Sequence, residues 1–277
     1  MRVGLVQLSS SDDPLANLPQ TEALIRAAAA DGAALIATPE VTNCVSLSRS
    51  RQTEVLRTEA EDPTLSALAP LAAELGVAIL IGSLALKTGE SRFANRSILI
   101  SPRGQILARY DKIHMFDVDL GAESYRESDG YRPGTQTTLV TLPQATLGLT
   151  ICYDLRFPHL YRKLAQAGAQ ILTIPSAFTR PTGAAHWEVL LRARAIETGC
   201  FVLAPAQTGT HGAASGKQRS TWGHSLVIDP WGKIMLDMGE AVGMACVDLD
   251  LDAVDNTRQR VPSLMHDPQF EDPAPDA

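Results

Sequence analysis

The stretch LGLTICYDLRFPHLYRKLAQAGAQILTIPS, residues 147–176, decides the architecture. LGLTICYD (147–154) reads as a strand and is followed by a helical segment. AGAQILTIPS (167–176) then brings a second strand, led in by a Gly-Ala pair and closed by proline. The strands are unbroken apolar runs rather than alternating ones, the signature of central strands covered on both faces. The same pattern occurs earlier: RVGLVQL (2–8), a helix over 14–31 ending at Gly32, and DGAALIATPE (31–40). This echo predicts two related halves and two sheets packed together.

Outward from these units, strands alternate with helices, which places the chain among α/β proteins. ILARYD (106–111) reads as β-like, 184–198 as a helix and CFVLAPA (200–206) as a strand. GHSLVIDPWGKIMLDMG (223–239) reads as a hairpin turning at Pro230-Trp231-Gly232. No internal linker interrupts the pattern, so 1–277 is expected to be one domain. Its core covers about 1–266, and 267–277 is an acidic, proline-rich tail. An extended or disordered arm is expected from about Pro262.

Composition narrows the function. The 277 residues are 45% hydrophobic and 20% charged, ordinary values for a globular chain. With 24 Lys+Arg against 31 Asp+Glu the net charge is −7, which argues against nucleic acid or an anionic membrane as partner. The N-terminus reads directly as a strand rather than a secretory signal, and 77–86 is too short to span a bilayer. Cys44, Cys152, Cys200 and Cys246 are scattered without CxxC spacing. That disfavours a disulfide framework or a zinc ribbon and fits a reducing cytoplasm.

Ligands of open α/β sheets bind beyond the C-terminal ends of strands. Glu40, Lys112 and Cys152 all fall at or just after such ends. A free thiol is only a few per cent thiolate at neutral pH. A carboxylate within reach takes its proton, and an ammonium with the backbone N–H of Tyr153 stabilises an oxyanion. Those three side chains suffice for acyl transfer without histidine, metal or cofactor.

At these positions the chain resembles the nitrilase superfamily of carbon–nitrogen hydrolases. The motifs are EVTNC after Pro39, YDKIHMFDVD (110–119) and ICYDLRFPHLYRKLAQAGAQILTIPSAF (151–178). The resemblance runs from residue 2 to about 266. It implies a four-layer αββα sandwich, a Glu40–Lys112–Cys152 triad, and a second glutamate near the lysine. SYRESDGYRPG (124–134) matches that last segment, with Glu127 a better match than Glu123. It also implies a homodimer or higher homo-oligomer. CYDLRFP, HWEVLLRARAIETGCFVLAPAQ (186–207) and WGHSLVIDPWG (222–232) are most similar to the Nit branch. Pro158 and AQTGTHGAASGKQRSTWGHS (206–225) sharpen the implied activity to a linear-amide hydrolase acting on deaminated glutathione. Omega-amidase action on 2-oxoglutaramate and nitrile hydrolysis are the alternatives.

Arg156 has two readings: it binds a substrate carboxylate, or it pairs internally with Asp154 or Glu197. Phe178 and Thr179 either line the pocket or, for Phe178, fill the core. Asp154 reads as a buried ion-pair partner, His114 as a local hydrogen-bonding group and Cys44 as packing. Arg194 and Glu197 are spaced to pair on a helix. SGKQRS (215–220) is expected in a loop near the pocket mouth. The rivals from other classes are a thiol-redox or metal-binding protein built on Cys152, and a non-catalytic protein on the same fold. The first lacks a resolving cysteine or ligand cluster at a suggestive spacing.

Overall fold

Strands that bury both faces need helices outside and a second sheet inside, and the chain supplies both. The computed structural model describes residues 1–121, 124–214, 216–266 and 268–270. The first half runs β1 (Arg2–Gln7), α1 (Pro14–Ala30), β2 (Leu35–Ala37), α2 (Arg49–Val55), α3 (Pro63–Leu75), β3 (Ala78–Leu86), β4 (Ala94–Ile100) and β5 (Ile106–Asp111). A hairpin of β6 (Asp117–Asp119) and β7 (Ser124–Arg126) follows. The second half runs β8 (Thr138–Thr141), β9 (Thr146–Leu149), α4 (Pro158–Gln166), β10 (Ile171–Thr173), α5 (Arg180–Thr198) and β11 (Phe201–Ala204). A short pair, β12 (Thr208–Thr210) and β13 (Ser220–Trp222), precedes β14 (Leu226–Ile228), β15 (Ile234–Asp237), β16 (Gly243–Asp248) and α6 (Asp252–Arg260).

Two six-stranded sheets result, ordered β16-β1-β2-β3-β4-β5 and β15-β14-β11-β10-β9-β8. In the first, β1, β2 and β3 are parallel, flanked by antiparallel β16 on one side and β4 and β5 on the other. The second repeats this plan, with parallel β9, β10 and β11 between antiparallel β8 and the pair β14, β15. The echo read from the sequence is therefore a repeat of topology.

Alternation along the strands divides the apolar side chains between two interiors. Val3, Leu5, Leu35, Ala37 and Leu80 join Leu147, Leu149 and Ile171 in a core shared by both sheets. Their neighbours Val6, Ile36, Ile79 and Ile81 pack with Ile25, Leu68 and Leu71 from α1 and α3. Leu160, Leu164, Trp187 and Leu191 of α4 and α5 cover the second sheet. The layers are thus αββα. Among the described residues no helix is long and apolar enough to cross a membrane.

Local signals fix the helix ends. Asp13 accepts from the N–H groups of Leu15 and Ala16 ahead of Pro14, and α5 stops at Gly199 in the left-handed conformation. One expectation is corrected. Pro262–Met265 form a 3-10 turn with Leu264 buried, not an extended arm. Arg162 and Gln166 of α4 donate to the Leu264 carbonyl at 3.0 and 3.1 Å, fastening the turn to the core. Residues 267 and 271–277 of the expected tail lie outside the described residues.

Gly82 marks where the halves touch beside the strand ends. A Cβ there would stand 1.9 Å from the Thr38 carbonyl oxygen and 2.5 Å from both the Pro39 oxygen and Pro175 Cβ. Its N–H donates to Thr38 Oγ1 at 3.1 Å, and the β3–β4 register shifts between Ile81 and Leu84. Two of the obstructing atoms are backbone, so the strand ends must separate to admit a methyl group. Gly82→Ala is expected to destabilise the fold by about 1–3 kcal/mol. Thermal denaturation should show Tm falling by roughly 5 °C.

Candidate active site

The three strand ends converge. Glu40 follows β2 in a turn where Val41 takes φ +46°, unusual for a β-branched residue. Ser83 holds that turn, accepting from the Val41 N–H through Oγ at 2.7 Å and from the Thr42 N–H through its carbonyl at 2.9 Å. Gln207 Nε2 donates to the Glu40 carbonyl at 3.1 Å. Lys112 extends β5, with its N–H bonded to the Asn95 carbonyl at 2.9 Å and its carbonyl to the Gly134 N–H at 2.7 Å. Backbone on both sides therefore fixes where its side chain starts.

Lys112 is 2% exposed, and its ammonium lies between two carboxylates. Nζ donates to Glu40 Oε1 at 2.9 Å and to Glu127 Oε1 and Oε2 at 3.0 and 2.8 Å. Asn95 Nδ2 bridges the same pair, at 2.9 Å to Glu40 and 3.3 Å to Glu127. The Phe116 N–H adds a 2.7 Å bond to Glu127 Oε2. Both nitrogen donors on Glu40 sit on Oε1, which leaves Oε2 to take a proton.

Cys152 follows β9 at the start of a 3-10 turn, Cys152–Arg156, with φ +50°. An L-residue in that region costs about 1–2 kcal/mol, so the elbow is held by its surroundings. Its N–H donates to the Pro175 carbonyl at 3.0 Å. The fully buried Asp154 pins the turn, accepting from the Ile151 N–H at 2.9 Å and Tyr110 Oη at 2.7 Å. It also takes the His114 N–H at 3.0 Å and sits 2.7 Å from His114 Nδ1. His114 stacks on Phe157 with ring centroids 3.5 Å apart. The segment after Lys112 is thereby tied to the turn after Cys152.

Electrostatics assign the resting protons. Burial works against the Lys112 charge, but Glu127 and Glu40 outweigh it and hold the ammonium well above its ordinary range. Burial also favours neutral Glu40, yet Lys112 and a hydrogen bond from Cys152 keep its carboxyl below the usual value. Burial and then the Glu40 charge push the Cys152 thiol up, and Lys112 offsets this only in part. The resting set is therefore carboxylate, ammonium and neutral thiol.

These groups line a cavity of about 440 Å³, within the range of small-molecule sites. Tyr153, Phe178 and Thr179 line it, as do Arg49, Asn95, Tyr131 and, from the basic loop, Lys217 and Arg219. Cys44 also reaches the wall, but burial pushes its thiol up to about 12. Arg156 is not among the lining residues. Its guanidinium lies over the Tyr153 and Phe178 rings, each 5.7 Å from the centroid, with Nη2 3.2 Å from His186 Nδ1. Neither internal ion pair expected for it forms: Asp154 is engaged as above and Glu197 pairs with Arg194 at 2.8 Å. Asn95 and Gln207 escaped the sequence reading. The signal for Asn95 was present, a lone amide inside the apolar strand ANRSILI.

The family model for carbon-nitrogen hydrolases matches residues 2–259. The chain belongs to the carbon–nitrogen hydrolase family. A Yersinia enterocolitica protein named deaminated glutathione amidase is 41% identical over 269 residues, covering 95% of this chain and 92% of its own. The Caenorhabditis elegans NitFhit crystal structure superposes with a TM-score of 0.89 at 35% identity, covering 96% of this chain and 64% of that one. Saccharomyces cerevisiae Nit3, described as a member of branch 10 of the nitrilase superfamily, gives 0.83 at 29% identity, covering 95% and 94%. This carbon–nitrogen hydrolase is thus an enzyme of the Nit branch, acting on C–N bonds other than peptide bonds.

The buried cation sets a pH dependence of stability. Glu40 has a folded pKa below its ordinary 4.5, so its contribution is present above about pH 4.5 and lost as pH falls through the lower value. In Lys112→Met the buried Glu40 carboxylate loses its cation and faces a second acid, so its folded pKa rises above the unfolded one. Stability is then lost as pH rises. Urea denaturation should find the variant about 3–5 kcal/mol less stable than wild type at pH 8, with the deficit shrinking toward pH 4.5.

Proposed function

We propose that this enzyme is a cysteine-dependent amidase that hydrolyses deaminated glutathione, a small linear amide carrying carboxylates. The observation that carries the chemistry is the Lys112 ammonium buried between Glu40 and Glu127, beside a neutral thiol on a strained turn. The substrate is supported by the name of the Yersinia enterocolitica relative. Cys152 Sγ attacks the amide carbonyl while Glu40 takes the thiol proton, so no thiolate has to be stored. Lys112 and the Tyr153 N–H hold the oxyanion of the tetrahedral intermediate. Glu40 returns its proton to the departing nitrogen, leaving a thioester. Water, deprotonated by Glu40, attacks the thioester, and the acid leaves as the thiol recovers its proton. Glu127 and Asn95 keep the ammonium and the Glu40 carboxylate in register.

The same proposal extends to assembly and compartment. Val189 and Ile196 on α5 and Trp231 beside them are 67, 54 and 52% exposed, large apolar groups suited to a homodimer face. The four cysteines are all unpaired, which fits a reducing cytoplasm.

Turnover at neutral pH tests the mechanism. Cys152→Ala should release no product from deaminated glutathione, and Glu40→Gln should slow it by on the order of 100- to 10,000-fold. Residual wild-type activity in Cys152→Ala rejects the nucleophile, and preference for 2-oxoglutaramate rejects the substrate. Light scattering coupled to size exclusion should show a dimer that Val189→Glu with Ile196→Glu converts to monomer.

A further inference from the structure

We propose that Arg49 determines specificity by binding a carboxylate of the substrate, the role that the sequence reading had offered to Arg156. The inference rests on the amidase reading and names the group that selects its substrate. Besides the catalytic Lys112, four cationic side chains line the cavity: Arg49, Arg126, Lys217 and Arg219. Two of the arginines are engaged with main chain. Arg126 folds onto the Tyr125 and Val118 carbonyls at 2.9 and 3.3 Å, and Arg219 Nη2 donates to the Ala177 carbonyl at 2.6 Å.

Arg49 is different, because a slot holds it without using its hydrogen bonds. Its guanidinium carbon lies 5.1 Å from the Phe93 ring centroid and 5.4 Å from that of Tyr131. Among the described residues no carboxylate or carbonyl accepts from it. Aromatic faces supply attraction for the cation but no acceptors, so its five N–H donors stay available. A planar guanidinium presented in this way matches a carboxylate bidentately.

Gly130 leaves the space that the guanidinium of the exposed Arg49 side chain occupies. Its backbone, φ −119° and ψ −22°, is open to any residue, so conformation does not require glycine. A Cβ there would instead stand 1.2 Å from Arg49 Nη2 and 1.7 Å from Cζ. The glycine makes room for the guanidinium. The slot also belongs to the reacting centre, since the Gly130 and Tyr131 N–H groups donate to the Glu127 carbonyl at 3.0 and 2.9 Å. Gln52 Nε2 donates to Tyr131 Oη at 3.0 Å, fastening α2, which Arg49 opens, to the same turn. The cation is thus fixed relative to the turn that carries Glu127, and a bound carboxylate sets the register of the amide along the cavity.

Binding separates this proposal from the catalytic one. The Cys152→Ala protein is titrated calorimetrically with deaminated glutathione and with its isosteric analogue in which the carboxylates are primary amides. The acid should bind more tightly. Adding Arg49→Gln should weaken it roughly 10- to 100-fold while leaving the analogue within threefold. Gly130→Ala, which displaces only the end of a flexible side chain, should reproduce that loss, and Arg49→Lys should recover part of it. Equal binding of acid and analogue, no binding of either, equal losses for both on Arg49→Gln, or a preference abolished by Arg219→Gln instead would each overturn the assignment. Turnover of a small neutral amide by the wild type reports separately on the amidase reading, which stands or falls without Arg49.

Discussion

An ammonium that is 2% exposed between two carboxylates is the constraint around which this molecule is arranged. Removing such charges from water costs several kcal/mol per ion, and the attraction offsets that only with short, well-aimed contacts. Each participant therefore comes from a rigid place: the end of β2, the end of β5, the interior of β4 and a turn clamped by backbone bonds. Each of these segments contributes one member. The cluster exists only when the first sheet is complete and the loop after β7 lies across it.

The nucleophile stands on the other sheet, and the two are joined by hydrogen bonds rather than by chain continuity. Asp154 binds Tyr110 and His114, which flank Lys112 in sequence, while holding the turn that gives Cys152 its positive φ. The acid two residues after the nucleophile thus acts as a mechanical link. Division of labour follows from the proton positions. Because the thiol rests neutral beside an ionised carboxylate, its nucleophilicity appears only when a carbonyl is in place to be attacked.

Much of this was legible in the sequence for one physical reason. Strands covered on both faces give unbroken apolar runs, and ionisable residues that interrupt such runs stand out. Glu40 and Cys152 do so, whereas Lys112 follows the half-exposed strand ILARYD and stood out through the family motif YDKIHMFDVD; the Gly-Ala-to-proline echo reported the repeated sheet plan. Residues whose role depends on direction were not legible. Arg156 is four positions from Cys152, but the 3-10 turn carries it behind Tyr153 and Phe178. Arg49 opens a short polar helix, RSRQTEV, and nothing there distinguishes it from a solvated charge until Gly130 and two rings are brought against it. Pro262 looked like the start of an arm because proline and acid dominate the tail, whereas the buried Leu264 is a single apolar side chain without periodicity.

β16 bears on how the protein is made. It pairs with β1 along its length, Arg2 opposite Asp248 and Gln7 opposite Gly243, so β1 gains this neighbour only after the whole second sheet has been synthesised. Until then β1 presents one row of unpaired amides, a template for pairing with other chains. Contacts of such sequence separation slow folding, since loop-closure entropy must be met before they form. The apolar β1 of the nascent chain is accordingly a segment that a chaperone has reason to shield, and emergence of β16 is the event that ends that need.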